Sequence, residues 1–341
     1  VGYDSLSIPC KLSLISKMTS AQVSAISISA EALTTALSYN ALIHHFQTSL
    51  PSSASTIRTP NRQSYLVSPS NSLLLMPSWS SSTSIPYIGV KLVTHFPHNS
   101  DLNLPGVNAS YVLFSSSTGQ PLASMDGTLL TLYRTACVSG LASKLLSRKD
   151  SKVLVMVGAG ALAPHLIKAH MAARPSLERV IIWNRSGEKA DALVEKMKAE
   201  ERNGRLCFER GSDLDSVISL GDIVSCATNS EVPLVRGEKL KVGAHLDLVG
   251  SFKETMRECD DEAIRRGRVV VDNEAAMEEA GEIVGAIRRG VIGVLDVGLL
   301  GELIKGEGSG RSDPDEITVF KSVGSAVVDL LAAQLVYQNL Q

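Results

Sequence analysis

Three basic residues lie in segments that are otherwise apolar or rich in Pro and Thr, and together they would suit the binding of a carboxylate. Arg58 lies in a Pro- and Thr-rich run, Lys91 lies in an apolar run, and Arg134 lies at the start of a long helical pattern. Guanidinium groups pair with carboxylates through two parallel hydrogen bonds. Each residue alone also fits an ordinary surface cation, and the sequence does not bring the three to one point.

A glycine pattern at 158–163 predicts a dinucleotide site. The run Gly-Ala-Gly-Ala-Leu-Ala follows an apolar stretch at 152–157 and opens a helical pattern. In this fingerprint Gly158 permits a tight turn and Gly160 lets the backbone approach a pyrophosphate. The free N–H groups of a helix N-terminus attract phosphate, so Ala161 and Leu162 are also candidate cofactor contacts.

The residues after the next strand indicate which dinucleotide binds. A site for NAD usually has an acidic residue there to accept from the ribose hydroxyls. This chain has Asn184, Arg185 and Ser186 instead, and a guanidinium can pair with a 2′-phosphate. The pattern predicts NADPH, with NADH as the weaker alternative. In the plainer interpretation, Arg185 is a surface residue and Ser186 caps a helix.

Two further strand ends provide candidate contacts for the reactive end of the cofactor. Thr228 follows the apolar run 222–226, while Val249 and Ser251 end and follow the run 245–249. Ligands on such sheets bind beyond the carboxyl ends of the strands. Ordinary strand-end chemistry is the alternative for both segments.

The elements that must position these residues fall into two groups. A helix is predicted over 30–46, strands over 65–67, 72–76, 88–94 and 110–114, and polar loops over 78–84 and 96–106. A helix over 131–146 leads to alternating strands and helices from 152 onward, which is typical of a doubly wound parallel sheet. A strand at 317–320 and a helix at 322–337 end the chain, and this tail is expected to pack on the first domain.

Composition excludes some classes of partner. The 341 residues carry a formal net charge of −2, which gives no reason to expect nucleic acid or an anionic membrane as a partner. No apolar run approaches the roughly 18 residues that span a bilayer. The five cysteines form no CxxC pair, so no metal site is predicted. Residues 1–20 fit either the remnant of a plastid transit peptide or extraneous upstream sequence.

From about residue 30 to its end the chain resembles the ornithine cyclodeaminase/mu-crystallin family, and it looks most like plant members that act as ketimine reductases in pipecolate formation. The resemblance implies an α/β protein in which a Rossmann domain (151–311) is inserted in an α+β substrate-binding and dimerisation domain (1–130 and 312–341), with a bridging helix at 131–150. It also implies a homodimer and, from the plant relatives, a plastid location, with the cytoplasm as alternative. The matching segments are 57–60, 75–77, 89–94, 125–128, 134–136, 158–160, 182–185 and 318–324.

The resemblance also assigns roles to the basic residues. Arg58, Lys91 and Arg134 would hold the substrate carboxylate and the reacting nitrogen, and Arg134 and Val323 would touch the cofactor. A lysine flanked by two arginines in a partly dry cleft is expected to have a lowered pKa, which makes Lys91 the candidate proton donor.

One departure from the family pattern favours reduction. True cyclodeaminases carry an Asp shortly after a Val-Gly pair, but here Val249 and Gly250 are followed by Ser251 and Phe252. The expected reaction is NADPH-dependent reduction of the small cyclic imino acid piperideine-2-carboxylate to L-pipecolate, with a place in lysine catabolism and plant defence. The alternatives are a cyclodeaminase-type lyase, a non-catalytic NADPH-dependent binder of small carboxylates, and a dehydrogenase acting on open-chain oxo acids.

Overall fold

Two β-sheets, each with its own helices, build the chain. The computed structural model describes residues 25–102, 104–201 and 204–341, so the predicted transit segment at 1–20 lies outside the described residues. The chain completes the first sheet, passes along a buried helix into the second, and returns at its end as a helix that packs on the first sheet. No helix within the described ranges is long and apolar enough to cross a membrane.

The first sheet is mostly antiparallel and buries one face against helices. In the described residues its strand order is β1-β7-β6-β5-β4-β2, with β3 also paired to β4. Along β5 the residues Tyr87, Gly89 and Lys91 are buried while those between them are partly open, as expected for a strand covered on one side. The strands are β1 (Ile26–Ile28), β2 (Ile57–Arg58), β3 (Gln63–Leu66), β4 (Ser72–Ser80), β5 (Tyr87–His95), β6 (Val107–Ser115) and β7 (Pro121–Asp126).

The four strands predicted from the sequence correspond to β3, β4, β5 and β6. The prediction of a loop over 78–84 is wrong at its start, because β4 continues to Ser80. Strands β1 and β7 carried no recognised pattern. The predicted loop at 96–106 contains a short 3-10 helix, Pro97–Leu102.

The helix predicted over 30–46 is two helices, α1 (Ala30–Ala36) and α2 (Tyr39–Thr56). Each begins after a serine whose hydroxyl accepts a hydrogen bond from the backbone N–H three residues on, which is a preferred helix start. Ser29 accepts from Ala32 at 3.2 Å, and Ser38 accepts from Ala41 at 3.2 Å. The second serine cap separates two segments whose apolar spacing looked continuous.

Helix α3 (Gly127–Leu146) joins the two sheets and is almost entirely buried. It begins four residues before the predicted start at 131 because Asp126 caps it, its Oδ1 accepting from the Leu129 N–H at 2.7 Å. Helix α3 packs against both α2 and α4 (Ala163–Ala173), which also contact each other. The bridging helix therefore fixes the two halves of the protein against each other.

The second sheet is parallel throughout, as the strand–helix alternation predicts. Its order is β10-β9-β8-β11-β12-β15-β13-β14, so the direction of winding reverses between β8 and β11. The strands are β8 (Val153–Val157), β9 (Arg179–Trp183), β10 (Cys207–Arg210), β11 (Ile223–Cys226), β12 (His245–Leu248), β13 (Gly267–Val271), β14 (Gly298–Leu299) and β15 (Ile317–Lys321). The helices after α4 are α5 (Gly187–Glu200), α6 (Leu214–Ile218), α7 (Asp261–Arg266), α8 (Ala276–Glu279), α9 (Gly281–Arg288), α10 (Leu300–Lys305) and α11 (Ala326–Asn339).

The end of the chain divides between the two sheets. As expected, α11 returns to the first domain, where it packs on α2, α3, β4 and β5. Strand β15 lies in the second sheet, between β12 and β13. The predicted boundary at 312 is therefore too early, because the last strand completes the Rossmann-type sheet before the chain leaves it.

Candidate active site

A cavity of about 390 Å³ opens at the glycine turn, at the carboxyl ends of β8, β9 and β11. Gly158 has φ +112° and a Cβ there would lie 2.6 Å from the Ala227 carbonyl oxygen, so the turn requires glycine. A Cβ on Gly160 would meet nothing within 4 Å, which leaves that side of the backbone open. The lining residues are Gly158, Ala159, Gly160, Trp183, Asn184, Arg185, Ser186, Lys189, Ala227, Thr228, Asn229, Ser230 and Leu234.

The residues of this turn fit a pyrophosphate. Helix α4 begins at Ala163, two residues later than predicted, so Ala161 and Leu162 lie in the turn. Within the described chain, the N–H groups of Gly160, Ala161 and Leu162 donate to no protein acceptor. Unpaired N–H groups in front of a helix N-terminus form an anion-binding site. The candidate contacts Ala161 and Leu162 therefore act through their backbone.

The end of β9 combines a positioning residue with basic side chains. Asn184 Oδ1 accepts from the Ala159 N–H at 3.2 Å and its Nδ2 donates to the Ser186 carbonyl at 2.9 Å, which ties the glycine turn to this strand end. Arg185 is exposed and lines the cavity together with Lys189, and the lining contains no carboxylate. Sequence reasoning missed Lys189, although its position four residues after Arg185, in the first turn of α5, was a usable signal.

The predicted contacts at the reactive end differ in how accessible they are. Thr228 lines the cavity. The Ser251 hydroxyl is fully buried, accepts from Lys321 Nζ at 2.7 Å and donates to Glu282. Val249 packs in the core next to α4, and the Val323 N–H donates to Asp272 Oδ1 at 3.3 Å. Cofactor contacts by Ser251, Val249 and Val323 stay predictions.

A buried ion cluster joins Lys91, Arg134 and Asp329 and is the second part of the site. Lys91 Nζ donates to Asp329 Oδ2 at 2.7 Å, and Arg134 Nε lies 2.8 Å from Asp329 Oδ1. All three are at most 8% exposed. They come from β5, α3 and α11, so the cluster exists only when the C-terminal helix has packed on the first domain. Sequence reasoning missed Asp329, whose only signal was a single acid in the first turn of an apolar helix.

The cluster sets the charge of Lys91. Burial, helped by the charges of Arg134 and Arg62 and opposed by Asp329, lowers the pKa of Lys91 to about 8. Burial raises the pKa of Asp329, but Arg134 and Lys91 outweigh it and hold that pKa below its usual value. The predicted lowering of the Lys91 pKa is thus confirmed, with burial as its main cause. Its second neighbouring guanidinium is Arg62, which sequence reasoning missed.

Arg58 is not part of this cluster. It is exposed on the two-residue strand β2 and pairs with Trp79 of β4. Lys91 pairs with Met76, three residues away on β4. Because successive residues alternate between the faces of a sheet, the register places Arg58 on the face opposite Lys91. The structure therefore groups two of the three predicted cations, and the role of Arg58 stays a prediction.

The ion cluster adjoins the carboxyl edge of the second sheet. Gly324, just after β15, has φ +79°, and a Cβ there would lie 2.4 Å from Arg134 Nη1. Asp272 holds this turn, its Oδ2 accepting from the Gly324 N–H and the Ser322 hydroxyl, each at 2.7 Å. The ion cluster of Lys91, Arg134 and Asp329 thus lies next to the edge at which a dinucleotide fits.

Fold and site together define a Rossmann-type protein with a buried ion cluster beside the edge at which a dinucleotide fits, and comparisons with known proteins give its family. Residues 24–341 match the model of the ornithine cyclodeaminase/mu-crystallin family, to which the chain therefore belongs.

Among its relatives, Protein SAR DEFICIENT 4 of Arabidopsis thaliana is 62% identical over 313 residues, 92% of this chain and 96% of that protein. Delta(1)-pyrroline-2-carboxylate reductase of Colwellia psychrerythraea is 37% identical over 289 residues, 82% of this chain and 89% of that protein. The solved structure of Thermococcus litoralis Delta(1)-pyrroline-2-carboxylate reductase in complex with NADH and L-proline has a TM-score of 0.85 and 31% identity. That similarity covers 92% of this chain and 97% of that one.

Replacing Gly160 by Val tests the dinucleotide site without disturbing the fold. Its Cβ would meet no protein atom within 4 Å, but the side chain fills the backbone approach, so the dissociation constant for the nicotinamide cofactor should rise by about tenfold or more. The free energy of unfolding should change by less than about 1 kcal/mol. Gly158→Ala is the contrasting variant: its positive φ and contact with Ala227 should also cost about 1–3 kcal/mol of stability. Unchanged NADPH fluorescence titrations of Gly160→Val would refute the assignment.

Proposed function

We propose that this chain reduces a cyclic ketimine carboxylate with NADPH, and that piperideine-2-carboxylate, giving L-pipecolate, is its preferred substrate. The observation that carries the proposal is a buried Lys91 ammonium, paired with Asp329 beside Arg134, at the carboxyl edge of a dinucleotide-binding sheet. The curated bacterial relatives named for reduction of pyrroline-2-carboxylate support the reaction class. They also make the five-membered ring the second candidate substrate.

The chain's residues supply binding and a proton. The ion pair with Asp329 uses Nε of Arg134, so the terminal nitrogens of this guanidinium can pair with the substrate carboxylate. The bound cofactor supplies a hydride, whose electron pair forms the new C–H bond at C2 of the ring. Lys91 donates a proton to the ring nitrogen, which takes it with the electron pair of the former C=N π bond. Lys91 is left neutral and regains its proton from solvent.

The preference for NADPH rests on the end of β9. Arg185 and Lys189 line the cavity and no carboxylate stands among them, so a 2′-phosphate meets attraction and no repulsion. The Thermococcus litoralis relative has a structure with NADH, which keeps NADH as the alternative.

The residues after β12 argue against the lyase alternative. Phe252 is 43% exposed where a carboxylate would have to accept a proton from the substrate amine, and the Lys253 ammonium lies 5.6 Å from the centre of its ring. No acid occurs between residues 249 and 253, so deamination lacks an acceptor there. A homodimer, a plastid location and roles in lysine catabolism and plant defence stay predictions.

Following NADPH absorbance with six- and five-membered cyclic ketimine carboxylates tests the reaction. The six-membered ring should be reduced with the higher kcat/KM, and L-pipecolate should be the product by chiral chromatography. Ornithine should release no ammonia in the same assay. Ammonia from ornithine without oxidation of NADPH by either ketimine would establish the lyase alternative instead.

Arg185→Asp should shift the preference between the two cofactors. The introduced carboxylate repels a 2′-phosphate and can accept from ribose hydroxyls, so the ratio of kcat/KM with NADPH to that with NADH should fall by about tenfold or more. Arg205→Asp makes the same charge change just before β10 begins, at the amino edge of the sheet and not at its carboxyl edge. It should leave the ratio unchanged. Equal ratios in the two variants would contradict the phosphate assignment.

The pH profile tests Lys91 as the acid. A protonated Lys91 is required, so kcat/KM should be full below its pKa of about 8 and fall as the pH rises through it. Asp329→Asn removes the charge that raises this pKa, so the alkaline limb should move down by about one pH unit. Asp329→Glu keeps the charge, so its alkaline limb should lie close to that of the wild type. A limb that stays in place in Asp329→Asn would belong to the substrate.

A further inference from the structure

A second buried charge cluster lies behind the candidate cofactor site and has no part in the chemistry above. It consists of Ser251, Glu258, Glu282 and Lys321, whose side chains are all fully buried. They gather behind the carboxyl ends of β11, β12 and β15, three neighbouring strands of the second sheet.

The charges of this cluster do not balance. Lys321 lies 3.2 Å from Glu282 Oε1, and Ser251 bridges the same two residues. Glu258 accepts only from neutral donors, the N–H and hydroxyl of Thr228 at 2.7 and 2.9 Å and the Gly250 N–H at 2.7 Å. In the part of the chain that the structure describes, no basic side chain forms an ion pair with Glu258.

A buried carboxylate without a cation is strongly unfavourable, yet Glu258 stays largely ionised near neutral pH. Burial, opposed by Lys321 and helped by Glu282, raises its pKa to about 6. Three donated hydrogen bonds favour its charged form. The protein therefore maintains an uncompensated negative charge one hydrogen bond behind Thr228, which lines the cavity.

The position of Glu258 behind the edge of the sheet indicates which half of a bound dinucleotide its charge would act on. On a doubly wound sheet the ligand crosses the carboxyl edge at the point where the winding reverses, here between β8 and β11. The glycine turn follows β8 and receives the phosphates, and β9 carries the basic residues for the adenosine half. The strands backed by Glu258 are on the other side of the reversal, where the nicotinamide half belongs.

We propose that Glu258 makes the site bind the positively charged ring of the oxidised nicotinamide cofactor more tightly than the neutral ring of the reduced form. Loss of a hydride changes the ring charge by +1 while the cluster keeps its own charge, so the same field favours hydride release from the bound reduced cofactor. The inference rests on the nicotinamide cofactor of the proposed function but not on its substrate. Glu258 is a positioning residue for Thr228 and Gly250 and acts on the ring through its charge.

The test compares dissociation constants for NADPH and NADP⁺ without substrate, by fluorescence for the reduced form and calorimetry for the oxidised form. Glu258→Gln should weaken NADP⁺ binding relative to NADPH binding by about tenfold. A merely structural role would weaken both forms alike and leave their ratio within twofold of the wild type. Asp222→Asn removes a buried carboxylate at the amino end of β11 and should leave the ratio unchanged.

The wild-type protein gives a second measurement in case Glu258→Gln does not fold. The relative affinity for NADP⁺ should decline as the pH falls from 7 to 5, a range in which Lys91 stays protonated while Glu258 takes up a proton; the charged or titratable neighbours of Glu258 are Lys321, Glu282, Cys226 and Cys259. The cofactor phosphates titrate in both forms and cancel in the ratio. A ratio that is flat with pH, or unchanged in Glu258→Gln, overturns the inference. If the ratio changes as expected but the protein reduces no ketimine, the result contradicts the proposed function and leaves this inference standing.

Discussion

The carboxylate of Asp329 is the group on which the candidate site depends. A lysine as deeply buried as Lys91 would be driven towards its neutral form by desolvation alone, and Arg134 beside it adds repulsion. Asp329 contacts both cations and keeps the pKa of Lys91 at about 8, within the range that proton transfer near neutrality requires. Because Asp329 belongs to the last helix, the chain must complete the second sheet and return to the first domain before this ion cluster can form.

The bridging helix α3 imposes a second constraint, because it carries Arg134 and must hold it against the dinucleotide edge. The last carbonyl groups of a helix lack partners within it, and here guanidinium groups satisfy them. Arg174, at the end of α4, donates to the carbonyls of Lys144 and Ser147 at 2.7 and 2.8 Å. Arg311 donates to the Leu146 carbonyl at 2.7 Å. The helix is thereby fixed to the second sheet, and the position of Arg134 follows.

The sequence predicts the parts of this site that depend on neighbours along the chain. The glycine turn, the basic end of β9 and the ends of β11 and β12 follow from local patterns, which predict where each strand ends and which residues follow it. Asp329 could not be found in this way, because its partner Lys91 is 238 residues away. The position of Arg58 on the face opposite Lys91 likewise depends on sheet register. The approach of Arg62 depends on the loop before β3, and the charge of Glu258 depends on burial between loops. Each is a property of packing, which one sequence does not display.

The two charge clusters of the site carry net charges of opposite sign. In the first domain Lys91 and Arg134 share a single carboxylate, which leaves net positive charge. Behind the sheet edge Lys321 pairs with Glu282 but not with Glu258, which leaves net negative charge. A formal net charge of −2 for the whole chain conceals this separation. Since fields of this kind act on charge and not on ring size, an enzyme with the proposed function must discriminate between five- and six-membered rings through the shape of its pocket and not through these two clusters.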